Sequence, residues 1–359
     1  MLGLGNSLVT GVVQGLIPNL YSIDFDGAND HINCSDITVA DTFTISGWAK
    51  PTDASDFQVI MAKYDDSVKA EKVFRIILSG SKALFILKKT DGNDLATSTT
   101  TTDFQDGVWT HFAFTNDGSS LKGYINGSLE DTDSTTGGDI NTDDGDFLIG
   151  AQLNSGAVAN FFEGNIDEVA IFSSALTGAQ ISQLAQSQPQ ILGMTGLQSY
   201  WRMGDGSFDD ETNGVVHDQT DPGLEADYLT TSWSGETGGW GTTTGGIVNS
   251  GTNGTIRQNL EFTDFIGSTY KAEYTLSSVT NSGTPATDLR IRFGGGNIPN
   301  VPSTEGTHVY YLVNDATVDN FQFSSINSWA GTITNISLKK LKGNPGLTSG
   351  GPTFSSDTP

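Results

Sequence analysis

From Tyr21 onward the chain is built from short apolar runs of period two, cut by Gly, Asn, Asp and Ser. In TFTISGWAKP, Phe43, Ile45 and Gly47 alternate with Thr44, Ser46 and Trp48, the pattern of a strand with two unlike faces. YSIDFDG, HINC, QVIMAKY, VFRIILSG, KALFILKK, GVWTHFAFTND, LKGYINGSL and FLIGAQL share this character, at the close spacing of a sandwich or jelly roll. The stretch FFEGNIDEVAIF, 161–172, ends in four consecutive apolar residues, so a strand there is apolar on both faces, as inside a two-layer sandwich. Simple alternation puts Asp167 on the face of Val169 and Ile171. A carboxylate buried there needs amide donors, a cation or a basic partner. The first helical period is SALTGAQISQLAQ, 174–186, where Thr177 and Gln180 form a capping-box pattern and Ile181 and Leu184 lie one turn apart. It closes a first domain near residue 188.

A second set of strands begins near Thr231: WSGETGGWGTTTGGIV, TIRQNLEF, YKAEYTLSSV, DLRIRFGG, THVYYLVN, NFQFSSI and GTITNISLKKL. In DLRIRFGG, Leu289, Ile291 and Phe293 face one way, and Asp288, Arg290 and Arg292 the other. Residues 190–230 mix one apolar pair, Tyr200 and Trp201, with Gly, Asp and Pro turn signals and are expected to form a connector. The fold class predicted is all-β: two antiparallel jelly-roll sandwiches in tandem with an extended N-terminal arm. The division expected is an arm over 1–19, a first sandwich over 20–188, a connector over 189–230, a second sandwich over 231–342 and a flexible tail over 343–359.

Composition supports this picture and narrows the partners. Gly 44 against Pro 10, with 19 Phe, suits short strands and tight turns. Lys+Arg 17 against Asp+Glu 42 gives a net charge of −25, which repels phosphate backbones and anionic lipid and excludes nucleic acid as the expected partner. Cys34 is the sole cysteine, so there is no intrachain disulfide framework. MLGLGNSLVTGVVQGLIP lacks the basic n-region of a secretory signal and is too polar and glycine-rich to span a membrane. Its uncharged, mildly apolar residues instead suit docking on a partner, with Met1, Leu2, Leu4, Leu8, Val12, Val13 and Leu16 as the docking set.

The series IDFDGANDHI, FTISGWAKP, VWTHFAFT, LKGYINGSL and GNIDEVAIFSSALTGAQI, in this order, resembles the laminin G-like, concanavalin A-type jelly roll over about residues 20–188. The resemblance implies two packed antiparallel sheets, a fold used for sugar or protein binding and sometimes holding calcium at a rim. The strand order of 231–342 resembles carbohydrate-binding-module jelly rolls, and YWRMGDG resembles segments that follow such jelly rolls in tailed-phage structural proteins. Related glucanases carry a Glu-x-Asp-x-x-Glu strand. Here its first and last acids are replaced by Asn165 and Ala170, and Glu163 and Asp167 stand roughly 13 Å apart along a strand. No other hydrolase motif is present, and His111 in WTHFAFT is expected to be a packed structural imidazole.

These features lead to a non-enzymatic virion surface protein of a tailed phage: a head fibre, capsid decoration protein or tail adhesin. Its arm would dock on a capsid or tail protein and its lectin-like sandwiches would meet cell-surface glycans, with a homotrimer the expected oligomer. The alternatives are a secreted extracellular bacterial carbohydrate-binding or adhesion protein and, further off, a glycoside hydrolase of the concanavalin A-like fold. Sugar binding needs an aromatic platform beside planar hydrogen-bonding groups, and the candidates are Trp233, Trp240, Arg290, Arg292, Tyr310 and Trp329. Calcium is the candidate cofactor, held by Asp26 and Asp30 in FDGAND with Asp167 brought near if the first and last strands are adjacent. DINTDDGD, 139–146, offers a second acidic loop without EF-hand spacing.

Overall fold

The computed structural model describes residues 19–359 apart from 66, 68–71, 136–139, 142–144, 187–190, 193, 207–208, 210, 212–213, 221–223, 230–232, 235, 260–268, 281–287, 294–299, 302 and 314–319. The docking set between Met1 and Leu16, and Asp139, Asp143 and Asp144 of DINTDDGD, lie outside the described residues. The strands run β1 (Ser22–Asp26), β2 (His31–Asp36), β3 (Phe43–Pro51), β4 (Gln58–Tyr64), β5 (Lys72–Ser79), β6 (Lys82–Lys88), β7 (Asp94–Thr99) and β8 (Thr110–Asn116). Next come β9 (Ser120–Ile125), β10 (Ser128–Ser134), β11 (Asp146–Ile149), β12 (Gln152–Asn154), β13 (Ala157–Ala159) and β14 (Glu163–Phe172). The helix α1 (Gly178–Leu184) then precedes β15 (Leu197–Trp201) and β16 (Val215–Val216). A second group follows: β17 (Leu224–Asp227), β18 (Trp240–Thr243), β19 (Gly246–Ser250), β20 (Gly254–Asn259), β21 (Thr269–Thr280), β22 (Leu289–Phe293), β23 (Asn300–Val301), β24 (Gly306–Val313), β25 (Asn320–Ser325) and β26 (Ala330–Leu341). The chain ends with β27 (Gly346–Ser349) and β28 (Thr353–Ser355).

The fold is all-β and its named strands pair antiparallel, as the alternation predicts. One sheet has the order β10-β9-β8-β3-β14-β1-β28, with β15 also on β14, and faces a second of order β16-β27-β2-β11-β4-β5-β6-β7. Phe25, Phe43, Phe74, Phe85, Phe114 and Trp201 are among the residues that fill the space between them. The predicted helix forms with its capping box, Thr177 to Gln180, and buries Ile181 and Leu184 over the outer face of β14. The second group makes its own pair of sheets, β18-β19-β26-β21-β24 and β20-β25-β22-β23, around Trp240, Trp329, Tyr270, Tyr274 and Phe323.

Two expectations about the chain's course are corrected. The stretch expected to be a connector supplies β15 and β16 to the first sandwich, because Tyr200 and Trp201 are too apolar to stay outside a core and both are buried there. The tail expected to be loose instead adds β28 beside β1 and β27 beside β2. Asn344 O accepts from Trp201 Nε1 at 2.8 Å, and Asp357 receives Lys50 Nζ and Trp109 Nε1. The first sandwich is therefore completed from both sides of the second, whose strands are inserted between β16 and β27.

The edge of the first sandwich is closed by side chains. Asp133, Asp131 and Glu130 of the β10 strand accept backbone N–H of Thr97, Thr99 and Thr101 at 2.9 Å each. These carboxylates occupy donors that an exposed edge strand would otherwise offer to another chain.

Candidate functional site

Strand β14 does not keep its alternation. Glu168 adopts a left-handed conformation at φ +51°, and the pairing with β3 slips between Asp167 and Ala170, which is a β-bulge. Ile166 and Val169 consequently both face the core, while Asp167 lies on the opposite, outer face across from Trp48. This corrects the expectation that Asp167 shares a face with Val169 and Ile171. The bulge is also a fork: β14 pairs with β1 before it and with β15 after it.

A charged cluster fills the fork. Asn19 Nδ2 donates to Asp167 Oδ2 at 2.9 Å, and Glu168 N donates to Asp167 Oδ1 at 2.7 Å. Tyr200 OH donates to Glu168 Oε2, and Arg202 Nε stands 3.7 Å from Glu168 Oε1. Asp205 accepts Leu20 N and Tyr21 N. Burial pushes Glu168 up to about 7, opposed by the Tyr200 hydrogen bond and the Arg202 charge. Burial, and the neighbouring Glu168 charge, raise Asp167 as well. Two adjacent carboxyls shut away from water cannot both ionise at low cost. The cluster fastens the entry of the chain to β14 and β15, and it offers no open face to a substrate.

The expected grouping of Asp26, Asp30 and Asp167 fails on register. The first and last strands of the sandwich are adjacent, as anticipated, but Asp26 faces Glu163, and Asp167 falls four residues further along. Asp26 Oδ1 accepts the amides of Ala28 and Asn29, and Asp30 Oδ2 accepts Asp26 N. Asp26, Asp30 and Asp167 therefore do not converge. Among the described residues no group of three or more His, Cys, Asp or Glu is disposed to hold a metal. Glu163 is exposed while Asp167 is fully buried, so the two share no cleft. His111 is packed against Trp48 at 5.4 Å between ring centroids, and burial lowers it to about 3, the structural imidazole expected.

The six sugar candidates separate. Trp329 and Trp240 stack on each other at 5.9 Å inside the second core, Trp329 wholly enclosed with its Nε1 donating to Ser303 O. Neither can act as a platform, because an enclosed indole presents no face to a ligand. Tyr310 packs half-buried against the same core. Arg290 and Arg292 point away from the core, as their alternation with buried Leu289 and Ile291 predicts. Trp233 lines a cavity of 290 Å3 with Thr242, Thr243, Gly245, Gly246, Gln258, Asn335 and Ile336.

Three local features shape that cavity. Thr242 and Thr243 lead into a two-residue turn with Gly245 at φ +77°, a conformation in which a side chain is strained. Asn335, at φ +50°, and Ile336 fall in a bulge of β26 against β21. Trp233 is fixed by its neighbour: Ser234 N donates to Arg257 O at 2.8 Å, and Arg257 N donates to Ser234 O at 3.0 Å. Its ring packs at 6.0 Å from Phe323 and 6.4 Å from Phe321 while staying half-exposed. Gly245, Gln258, Asn335 and the threonines were not anticipated as site residues. Only the turn signal TTTGG marked the hairpin, and no local pattern announces a bulge.

The first sandwich is thus two packed antiparallel sheets around a closed apolar core. Residues 26–182 match the family model of the concanavalin A-like lectin/glucanases superfamily (Laminin_G_3). No curated protein matches the chain. Among solved structures, a putative carbohydrate-binding protein from Bacteroides ovatus is 20% identical over 56% of this chain and 56% of its own, at a TM-score of 0.44. The heptameric SAP-like pentraxin of Limulus polyphemus is 17% identical over 48% of this chain and 84% of its own, at 0.40. Domain 4 of the Geobacillus stearothermophilus arabinanase AbnA, solved with arabinotriose, is 24% identical over 44% of this chain and 72% of its own, at 0.31. None of these likenesses carries a ligand over to this chain.

Proposed function

We propose that this is a non-catalytic, glycan-binding surface protein that receives a sugar in the Trp233 cavity. The observation that carries the reading is a half-exposed indole, held by Phe321 and Phe323, in a cavity ringed by Thr242, Thr243, Gln258 and Asn335. A pyranose offers an apolar face to the indole and hydroxyls to amide and hydroxyl partners. At 290 Å3 the cavity lies at the lower end of small-ligand clefts, about 300–1,000 Å3, which suits a terminal mono- or disaccharide. A glycan array with the full chain, with and without EDTA, tests it. Wild type retains a neutral sugar, and Trp233→Ala weakens that retention roughly tenfold or more. Equal binding by the variant removes the cavity from the mechanism. No sugar in either condition favours a purely structural role.

The setting we propose is the surface of a tailed-phage particle, as a head fibre, decoration protein or tail adhesin, in trimeric form. The uncharged segment 1–19 and the YWRMGDG resemblance support it. Deleting residues 1–18 is expected to abolish joining of the parent particle while leaving glycan retention intact. A truncated chain that still joins the particle overturns the docking role.

A further inference from the structure

Neighbouring side chains of a regular strand point to opposite faces, yet the consecutive residues Asn335 and Ile336 both line the Trp233 cavity. The bulge of β26 is the reason. Ser337 pairs with Glu273 and Thr334 with Thr275, which leaves Asn335 and Ile336 opposite Tyr274 alone. Asn335 takes φ +50° there, in the left-handed region that Asn tolerates better than most residues. An amide and an aliphatic side chain thus stand side by side on one wall. Asn335 is exposed, and its Nδ2 donates to Thr275 Oγ1 at 3.4 Å, which leaves Oδ1 as its available acceptor. Thr242 and Thr243, both exposed, add two hydroxyls from the hairpin of β18 and β19. Among the described residues no charged side chain lines the cavity.

We propose that this corner receives the acetamido group of an N-acetylated hexosamine, an assignment that rests on the Trp233 cavity receiving a sugar. An acetamido group presents an N–H donor, a carbonyl acceptor and a methyl group within a few bonds of one another. Asn335 Oδ1 accepts the N–H, Ile336 covers the methyl, and a threonine hydroxyl donates to the carbonyl, while the apolar face of the pyranose lies on the indole. A plain hydroxyl at the same ring position satisfies Asn335 but leaves Ile336 against water. A 6-deoxy sugar covers Ile336 with its methyl group, but that methyl carries no adjacent donor for Asn335. A sialic acid or a uronate brings a carboxylate that meets no cation in the lining, on a chain of net charge −25.

Isothermal titration calorimetry of the full chain with two pairs of sugars tests the assignment: N,N′-diacetylchitobiose against cellobiose, and N-acetylgalactosamine against galactose. The members of each pair differ in the acetamido group, and rhamnose and N-acetylneuraminic acid serve as comparison ligands. Wild type is expected to favour the acetylated member of at least one pair about tenfold or more, from one hydrogen bond and one covered methyl group. It should bind both comparison ligands more weakly than that sugar. Asn335→Gly removes the acceptor and keeps the left-handed backbone, and should lower the preference about fivefold. Ile336→Thr removes apolar cover and should lower it about threefold; it is the second readout if Asn335→Gly fails to fold. A preference near one in the wild type overturns the acetamido assignment and leaves the sugar cavity standing, whereas no binding of any of these sugars overturns both. Equal or tighter binding of rhamnose or N-acetylneuraminic acid, or a preference unchanged in both variants, also overturns the assignment.

Discussion

The two sandwiches bury different chemistry. In the first, Lys63, Asp65, Asp167, Glu168, Arg202 and Asp218 are buried, and each bonds or pairs with a stretch distant in sequence. Asp218 shows the pattern: Oδ1 accepts Tyr200 N and Thr220 N, while Oδ2 accepts Asn344 N. It joins β15 to both the exit toward the second sandwich and the return from it. In the second sandwich, Asp288 is the only buried charge among the described residues, and Trp240, Trp329, Tyr270 and Tyr274 supply the interior. The difference teaches where each can carry function. Buried charges make the first sandwich a closed frame assembled from distant segments, whereas an aromatic interior lets the second end in a half-exposed ring, Trp233, without losing its core.

The largest effect that would break this comparison is removal of residues 343–359. It takes away β27, β28 and the partners of Trp201, Lys50 and Trp109. The first sandwich is expected to lose more than about 4 kcal/mol, a large share of a domain's stability. Denaturant unfolding followed by tryptophan fluorescence reads it; an unchanged midpoint means the tail is not part of the frame. Next, Trp329→Ala is expected to cost about 3–5 kcal/mol by emptying the second core. Trp233→Ala should cost under about 1.5 kcal/mol while its glycan retention falls, because its ring is only half-covered. Equal losses of stability in the two variants would erase the distinction between interior and rim.

Acidity sharpens the comparison with a smaller effect. Glu168 is pushed up to about 7 from an ordinary value of 4.5, so the folded protein keeps a proton that the unfolded chain releases above 4.5. Folding stability contributed by this group therefore falls as pH rises from 4.5 to 7 and is regained on acidification, by on the order of 1–3 kcal/mol. Thermal midpoints measured across that window should slope downward with pH, and Glu168→Gln should flatten the slope; a slope kept in the variant would assign it elsewhere.

The smallest effect is at the edge. Partial burial of Glu130 opposes its ionisation, yet the Thr101 and Thr102 hydrogen bonds hold it down to about 2. Its contribution is present above 4.5 and is lost as pH falls through 2. Glu130→Gln should cost under about 1 kcal/mol, since the group is largely solvated. A greater tendency to associate, read by light scattering, would mark the loss of edge protection.

The sequence by itself determined the strand class, most strand positions, the capping box of α1 and the two-faced character of β22. These follow from periodicity and local hydrogen bonding, which neighbours in the chain decide. It also supplied Trp233 as a sugar candidate, but could not separate it from Trp240 and Trp329, because an indole has the same local pattern inside a core and at its rim. Only the tertiary structure decided that the bulge at Glu168 turns Asp167 to the outer face, that register parts Asp167 from Asp26 and Asp30, and that the last seventeen residues complete the first sandwich. Each of these depends on pairing between residues far apart in sequence. A one-residue slip or a returning strand changes which side chains meet while leaving the local alternation of each strand untouched.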